Sequence, residues 1–116
     1  MRERQRKNAR RMLDEEMRHF VRAGKDKYPT NGLLRAVRQA LGLPVEEIAR
    51  KMQANRSLVF DLEVRELAGT VQLRSMAKMC EAMGCQMAYG VVPLHGRTLE
   101  ELATVQYWER EEKNRD

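Results

Sequence analysis

Two cysteines and two histidines are the residues best suited to metal or nucleophilic chemistry, and their spacing argues against both. Cys80 and Cys85 stand five positions apart, while His19 lies far upstream and His95 downstream. A structural zinc site needs four ligands in a recognisable spacing, which these residues do not offer. The cysteines therefore read as two small core residues rather than a disulfide or half a metal site. No His–carboxylate–nucleophile cluster and no Gly-rich phosphate loop occurs. A non-enzymatic protein without metal or cofactor is expected. The remaining chemistry is that of cationic side chains toward phosphate, with Arg35, Arg50, Lys51 and Arg74 as candidate contacts.

Three of these cations, Arg35, Arg50 and Lys51, lie in the stretch Leu34–Glu63, LRAVRQALGLPVEEIARKMQANRSLVFDLE, and Arg74 follows downstream. The stretch reads as a helix, a Gly-Leu-Pro turn, a second helix, a short turn and a third helix, the pattern of a DNA-reading helix-turn-helix. Leu33–Leu41 forms the first helix, with Leu34, Val37 and Leu41 on one face, and Pro44 can start the next, where a missing N–H does no harm. Val45–Met52 follows with Ile48, Ala49 and Met52 inward. Asn55 is a good N-cap for a third helix running from Arg56 to about Val64. A 100° step per residue places Val59 and Leu62 on one side of it, and Ser57, Phe60, Asp61 and Val64 opposite.

The flanks read as further helices. Residues 2–23 are amphipathic, with Ala9, Leu13, Met17 and Phe20 at helical spacing, and Gly24 can end that helix. Lys25–Gly32 is a linker or turn. Beyond an Ala68–Thr70 turn, Leu73–Met83 is a helix, and Cys85–Val92 is a strand candidate stopped by Pro93. A lone strand leaves its backbone unpaired, so pairing with a second subunit is expected of it. Leu99 to about Glu111 is a last helix, and the charged Glu109–Asp116 end is expected to fray. The implied organisation is a basic N-terminal helix over 1–27, a helix-turn-helix domain over 28–84, and a dimerisation region over 85–116.

At 116 residues the chain can bury one modest core. With 42% hydrophobic but only 5% aromatic residues, that core must come from Leu, Val, Ile, Ala and Met, a mixture suited to packed helices. No apolar run is long enough to span a membrane. The N-terminus is charged from its second residue and lacks an apolar signal core, so a cytoplasmic protein is expected. The net charge of +5 is placed unevenly: residues 1–27 hold ten Lys/Arg against five Asp/Glu, and the rest of the chain balances. Such an arm suits phosphate, or is simply a solvated helix face with a positive excess.

The segments LRAVRQALGLPVEEIARKM and NRSLVFDLE resemble the Cro/C1-type (XRE-type) helix-turn-helix of phage repressors and antitoxins, over Leu33 to about Met83. A longer resemblance is to the mobile mystery protein A family. RELAGTVQL, AKMCEAMGCQMAYGVVP and the following LEEL are similar to its E-x-x-G-T link, A-x-x-x-C/A-E-A-x-G-C helix end and Y-x-x-V-P strand. The implied fold is all-α: a Cro/C1-type helical bundle with an amphipathic N-terminal helix, one short C-terminal β-strand and a C-terminal helix. Members of that family are encoded beside a Fic-domain partner, which implies antitoxin-like autoregulation.

Carried over residue by residue, Arg38 and Glu63 match a buried Arg–carboxylate pair tying the first helix to the third. Arg56 and Ser57 match the first exposed positions of the recognition helix, where Arg56 can take guanine O6 and N7 together. Asn55 and Ser57 can equally hold phosphate. Phe60 can touch a thymine methyl, or pack on a partner. Asp61 stands at a reading position usually polar or basic, where an acid repels phosphate unless it accepts from cytosine N4. Val45 occupies the outward place of a Gln that often bridges phosphate and recognition helix, and Gln53 stands where a Gly usually makes the turn.

Two expectations of function follow. One is a homodimeric, sequence-specific repressor of double-stranded DNA, with antitoxin-like autoregulation and base-reading by Arg56, Ser57, Phe60 and Asp61. The other is a protein-interaction antitoxin that binds and neutralises a toxin, Fic-domain by the resemblance, using Phe60, Asp61 and the face of Met76, Met79, Met83 and Met87. Those methionines also read as ordinary core. A Fic-inhibiting helix would carry a Ser/Thr-x-x-x-Glu-Gly/Asn motif, which the chain lacks.

Overall fold

The computed structural model describes residues 1–23 and 32–115, which form seven α-helices and no strand. In chain order these are α1 (Glu3–Glu16), α2 (Arg18–Ala23), α3 (Leu33–Ala40), α4 (Val45–Lys51), α5 (Arg56–Ala68), α6 (Leu73–Ala82) and α7 (Leu99–Lys113). The Gly24 stop and the linker expected over Lys25–Gly32, its last residue apart, lie outside the described residues. No described helix is long and apolar enough to cross a membrane. The chain divides into two compact units, Lys27–Ala88 and Met1–Asp26 with Tyr89–Asp116.

The Lys27–Ala88 unit holds α3 to α6 around one core. Leu34, Ile48, Val59 and Met79, one from each helix, are its most deeply buried large side chains. In α3, α4 and α6 apolar residues at helical spacing bring them there, whereas α5 carries apolar residues on both sides and buries only Val59 and Leu62 of them. Burying four such side chains contributes about 1.5–3 kcal/mol apiece. Met83 and Ala82 are also buried, and Val37, Met52, Met76, Cys80 and Cys85 pack at the core's edge. Leu41, expected inward, is 54% exposed. Val45, expected outward, is in the core at 7% exposure, so the first turn of α4 turns that side chain toward its neighbours. α5 is a turn longer than the spacing predicts, ending at Ala68 before Gly69 (φ 75°).

The beginning of α3 is built by a distant carboxylate. Glu66, near the end of α5, accepts from the backbone N–H groups of Leu33 and Leu34 at 2.8 Å each. Helix N-termini leave such donors unpaired and favour negative charge. Gly32 precedes them with φ 79°, and a Cβ there would stand 2.9 Å from Glu66 Oε1. Only glycine meets both demands at that position.

In the second unit, no residue with a described side chain is fully buried. The single helix expected over 2–23 is instead α1 and α2, separated at Met17, where the Phe20 N–H donates to the Met17 carbonyl at 2.9 Å. One such tight turn scarcely changes which face the side chains occupy, so the apolar spacing runs through it. α1 meets α7 through polar contacts. Arg10 donates to Glu100 at 2.9 Å and to Glu3 at 3.0 Å, and Asp14 accepts from the Leu99 N–H at 2.8 Å. Hydrogen bonds from Arg10 hold the carboxyls of Glu3 and Glu100 below the ordinary carboxylate range. Thr98 caps α7, accepting from the Glu101 N–H at 3.1 Å. α7 continues to Lys113, two residues past the expected end.

The strand expected over Cys85–Val92 does not form; this segment belongs to no ladder. An extended segment becomes a strand only when another pairs its backbone groups, and none of the described residues supplies one. Gly90 instead lies against side chains: a Cβ there would fall 2.7 Å from Phe20 Cγ and 3.0 Å from the Met17 sulfur.

Candidate nucleic-acid interface

The turn between α4 and α5 sets how α5 is presented. Met52 ends α4, Gln53 takes the left-handed conformation at φ 54°, and the Ala54 N–H donates to the Ala49 carbonyl at 2.9 Å. A non-glycine residue accepts that conformation at a cost of about 1–2 kcal/mol. Asn55 then adopts extended backbone, and its side-chain oxygen accepts from the Leu58 N–H at 2.9 Å. This is a conventional N-cap, so Asn55 Oδ1 is committed to the helix and only its amide nitrogen is available to phosphate.

α5 has two distinct sides. Val59, Leu62 and Glu63 are buried. Arg56, Ser57, Phe60, Asp61 and Val64 are exposed, Phe60 at 44% and Val64 at 63%. The inner side is tied to α3: Arg38 Nε donates to Glu63 Oε1 at 2.7 Å, and Arg38 Nη2 reaches Oε2 at 3.4 Å. Glu63 is only 5% exposed, so its charge relies on that guanidinium.

Three of the outward charges, on Arg56, Asp61 and Lys51, are paired within the chain. Arg56 Nε donates to Glu46 Oε1, in the first turn of α4, at 3.1 Å, and its guanidinium lies 5.9 Å from the centre of the Phe60 ring. Asp61 accepts from Arg65 Nε at 2.9 Å, one turn along α5. Lys51 stands 3.7 Å from Glu47. All three ion pairs are solvent-exposed, and such pairs contribute about 0–1 kcal/mol each. They hold side chains in place without preventing them from taking a stronger partner.

Arg35, Arg50 and Arg74 are exposed, and none forms an ion pair with a carboxylate among the described residues. From Gly32 to Ala88 the chain carries eight Lys/Arg against six Asp/Glu. Any attraction for phosphate in this unit therefore depends on where cations stand, since the overall field is nearly balanced. Glu46, Arg65 and Glu66 do not emerge from the sequence as partners. Glu66 is the Glu of the E-x-x-G-T link, the one signal that could have marked it.

The alternative protein-binding face is largely absorbed by packing: Met79 and Met83 are buried, and Met76 and Met87 are half-buried. Cys80 and Cys85 are free thiols, and burial pushes the Cys80 thiol up, keeping it protonated and poorly nucleophilic. No protein-family model, curated protein or solved structure matches the chain.

Proposed function

We propose that the protein is a homodimeric, sequence-specific repressor of double-stranded DNA. In this reading α4 and α5 are a Cro/C1-type helix-turn-helix, and α5 lies in the major groove. The observation that carries it is the division of α5 between a core side of Val59, Leu62 and Glu63 and an open side of Arg56, Ser57, Phe60 and Asp61. A helix that begins with a sharp capped turn and presents its first two turns to solvent is the element such proteins use to reach base edges. Arg56 exchanges Glu46 for guanine O6 and N7, and Arg35, Arg50, Lys51 and Arg74 contact phosphate, with Asn55 adding its amide. Two half-sites then lie about 34 Å apart along one face of the duplex.

The sequence resemblance to the mobile mystery protein A family supports a narrower form of the reading, an antitoxin-like regulator acting on its own promoter in the cytoplasm. A gel-shift assay on the DNA immediately upstream of its own gene, with Arg56→Ala alongside, tests the reading. Retarded wild-type complex lost in the variant supports it; no sequence-dependent retardation overturns it.

A second reading is favoured by one feature. Phe60 is exposed beside an acid, an arrangement suited to a protein partner as well as to a thymine methyl. In that reading α5 grips a toxin, and the helix-turn-helix serves as scaffold. Loss of toxin binding in Phe60→Ala with DNA binding intact would favour it.

A further inference from the structure

The unit of α1, α2 and α7 holds a groove of about 570 Å³ with its complement on the same chain. Met17, Val21, Val92 and Leu99 supply apolar lining, and Lys7, Arg11 and Arg97 stand around it. None of those three cations forms an ion pair with a carboxylate among the described residues. The groove's acids are already engaged: Asp14 accepts from the Leu99 N–H, Glu15 pairs with Arg18 at 3.4 Å, and Glu100 pairs with Arg10. The lining thus joins apolar residues to Lys7, Arg11, Arg18 and Arg97 against Asp14, Glu15 and Glu100, a positive surplus of one. Lys7, Arg11 and Arg97 are its cations outside any ion pair among the described residues.

The C-terminal half of α7 has the opposite character. Tyr107 and Trp108 meet edge to face with centroids 5.4 Å apart, yet remain 54% and 61% exposed. Glu109, Glu111 and Glu112 follow them, outnumbering Arg110 and Lys113. Large exposed aromatics beside charge are typical of surfaces that become buried on association. Val91, in the groove lining, and Leu94, next to it in sequence, are also 77% and 78% exposed. With no residue fully buried among those whose side chains are described, this unit has apolar surface still to cover.

We infer that the groove of one protomer receives the Tyr107–Glu112 end of α7 from a second copy, and that the exchange is reciprocal. Aromatic rings enter the apolar lining while Glu111 and Glu112 meet Lys7, Arg11 and Arg97. A reciprocal contact closes as a two-fold dimer, since each chain carries both halves of the interface. This rests on the dimer of the proposed function and supplies its surface. DNA binding would then depend on protein concentration through a contact outside the reading helix.

Sedimentation of the full chain across a concentration series, without DNA, tests the interface. The wild type should dimerise, with the emission of Trp108, the only tryptophan, shifting to shorter wavelength as it does so. Trp108→Ala should weaken the dimer at least tenfold. The groove-reversed variant (Arg11→Glu with Arg97→Glu) and the helix-reversed variant (Glu111→Lys with Glu112→Lys) should each weaken it comparably. Mixing those two variants should restore dimers, because every groove then meets a helix of opposite charge. Circular dichroism establishes that each variant is folded. A wild type that stays monomeric throughout overturns the inference, as does a dimer indifferent to all three variants. A dimer that behaves as stated but retards no DNA upholds this interface and removes the repressor reading.

Discussion

Arg56 and Glu46 hold each other at 3.1 Å across the turn between α4 and α5, in the first turn of each helix. The same guanidinium lies over the Phe60 ring, 5.9 Å from its centre, at the exposed start of α5. The strength of the ion pair is that of a surface pair, about 0–1 kcal/mol, whereas a bidentate contact to guanine discriminates by about 1–3 kcal/mol. The free protein thus stores its principal candidate reading residue in a weak contact that a base can displace.

Arg56→Ala should therefore lower affinity for the cognate site by roughly 10- to 100-fold, while leaving thermal stability nearly unchanged. Glu46→Gln should retain or strengthen binding, because it removes both a competitor for Arg56 and a charge that repels phosphate. Fluorescence anisotropy with labelled duplex measures both. The logarithm of affinity should also fall steeply with the logarithm of salt, and Arg35→Ala should flatten that slope by about one per protomer.

Removing one member of the Arg38–Glu63 pair leaves the other charge unpaired in the core. Arg38→Met should destabilise the fold by about 3–5 kcal/mol, as read from the denaturant midpoint. Replacing both residues with apolar ones of similar volume should recover much of that loss. A single variant as stable as the wild type would show that the pair carries no such dependence.

Gly32→Ala should lose at least about 1 kcal/mol, since alanine resists positive φ and its Cβ meets the Glu66 carboxylate. Glu66→Ala should cost about 1 kcal/mol by leaving the first donors of α3 uncapped. The two losses should not add, because both act on the same helix start. Urea unfolding of the single and double variants measures the coupling.

The pairing of α1 with α7 should weaken in acid. Arg10 holds the Glu3 and Glu100 carboxyls below their ordinary value of 4.5, so the folded form binds those protons less readily than the unfolded chain. The stabilisation is fully present above that ordinary value, and it is lost as pH falls through the lowered folded values. A carboxyl-detected NMR titration should show both glutamates titrating low. Arg10→Gln should return them toward the ordinary range.

Whatever depends on local spacing is legible in the sequence. Leu34 with Val37, Ile48 with Ala49, and Val59 with Leu62 fall at helical spacing, and Asn55 announces a helix start, so spacing reveals those helices and much of their core. Met79, legible only as one of a methionine face, is placed at the centre of the core by packing. The split of α5 between Val59 and Leu62 inside and Ser57, Phe60 and Asp61 outside is legible for the same reason. The direction of Val45 is not, because one residue at the first turn of a short helix has no periodic neighbours to orient it. The fate of Cys85–Val92 is not either: its composition suits a strand, but a strand exists only with a partner, which is a relation between distant segments. The same reason hides the caps and pairs. Glu66 at Leu33 and Leu34, Glu46 at Arg56, and Arg10 between Glu3 and Glu100 join residues by folding rather than by spacing. The sequence determined a chain of helices around an apolar core; tertiary structure decided which charges restrain the helix proposed to read DNA.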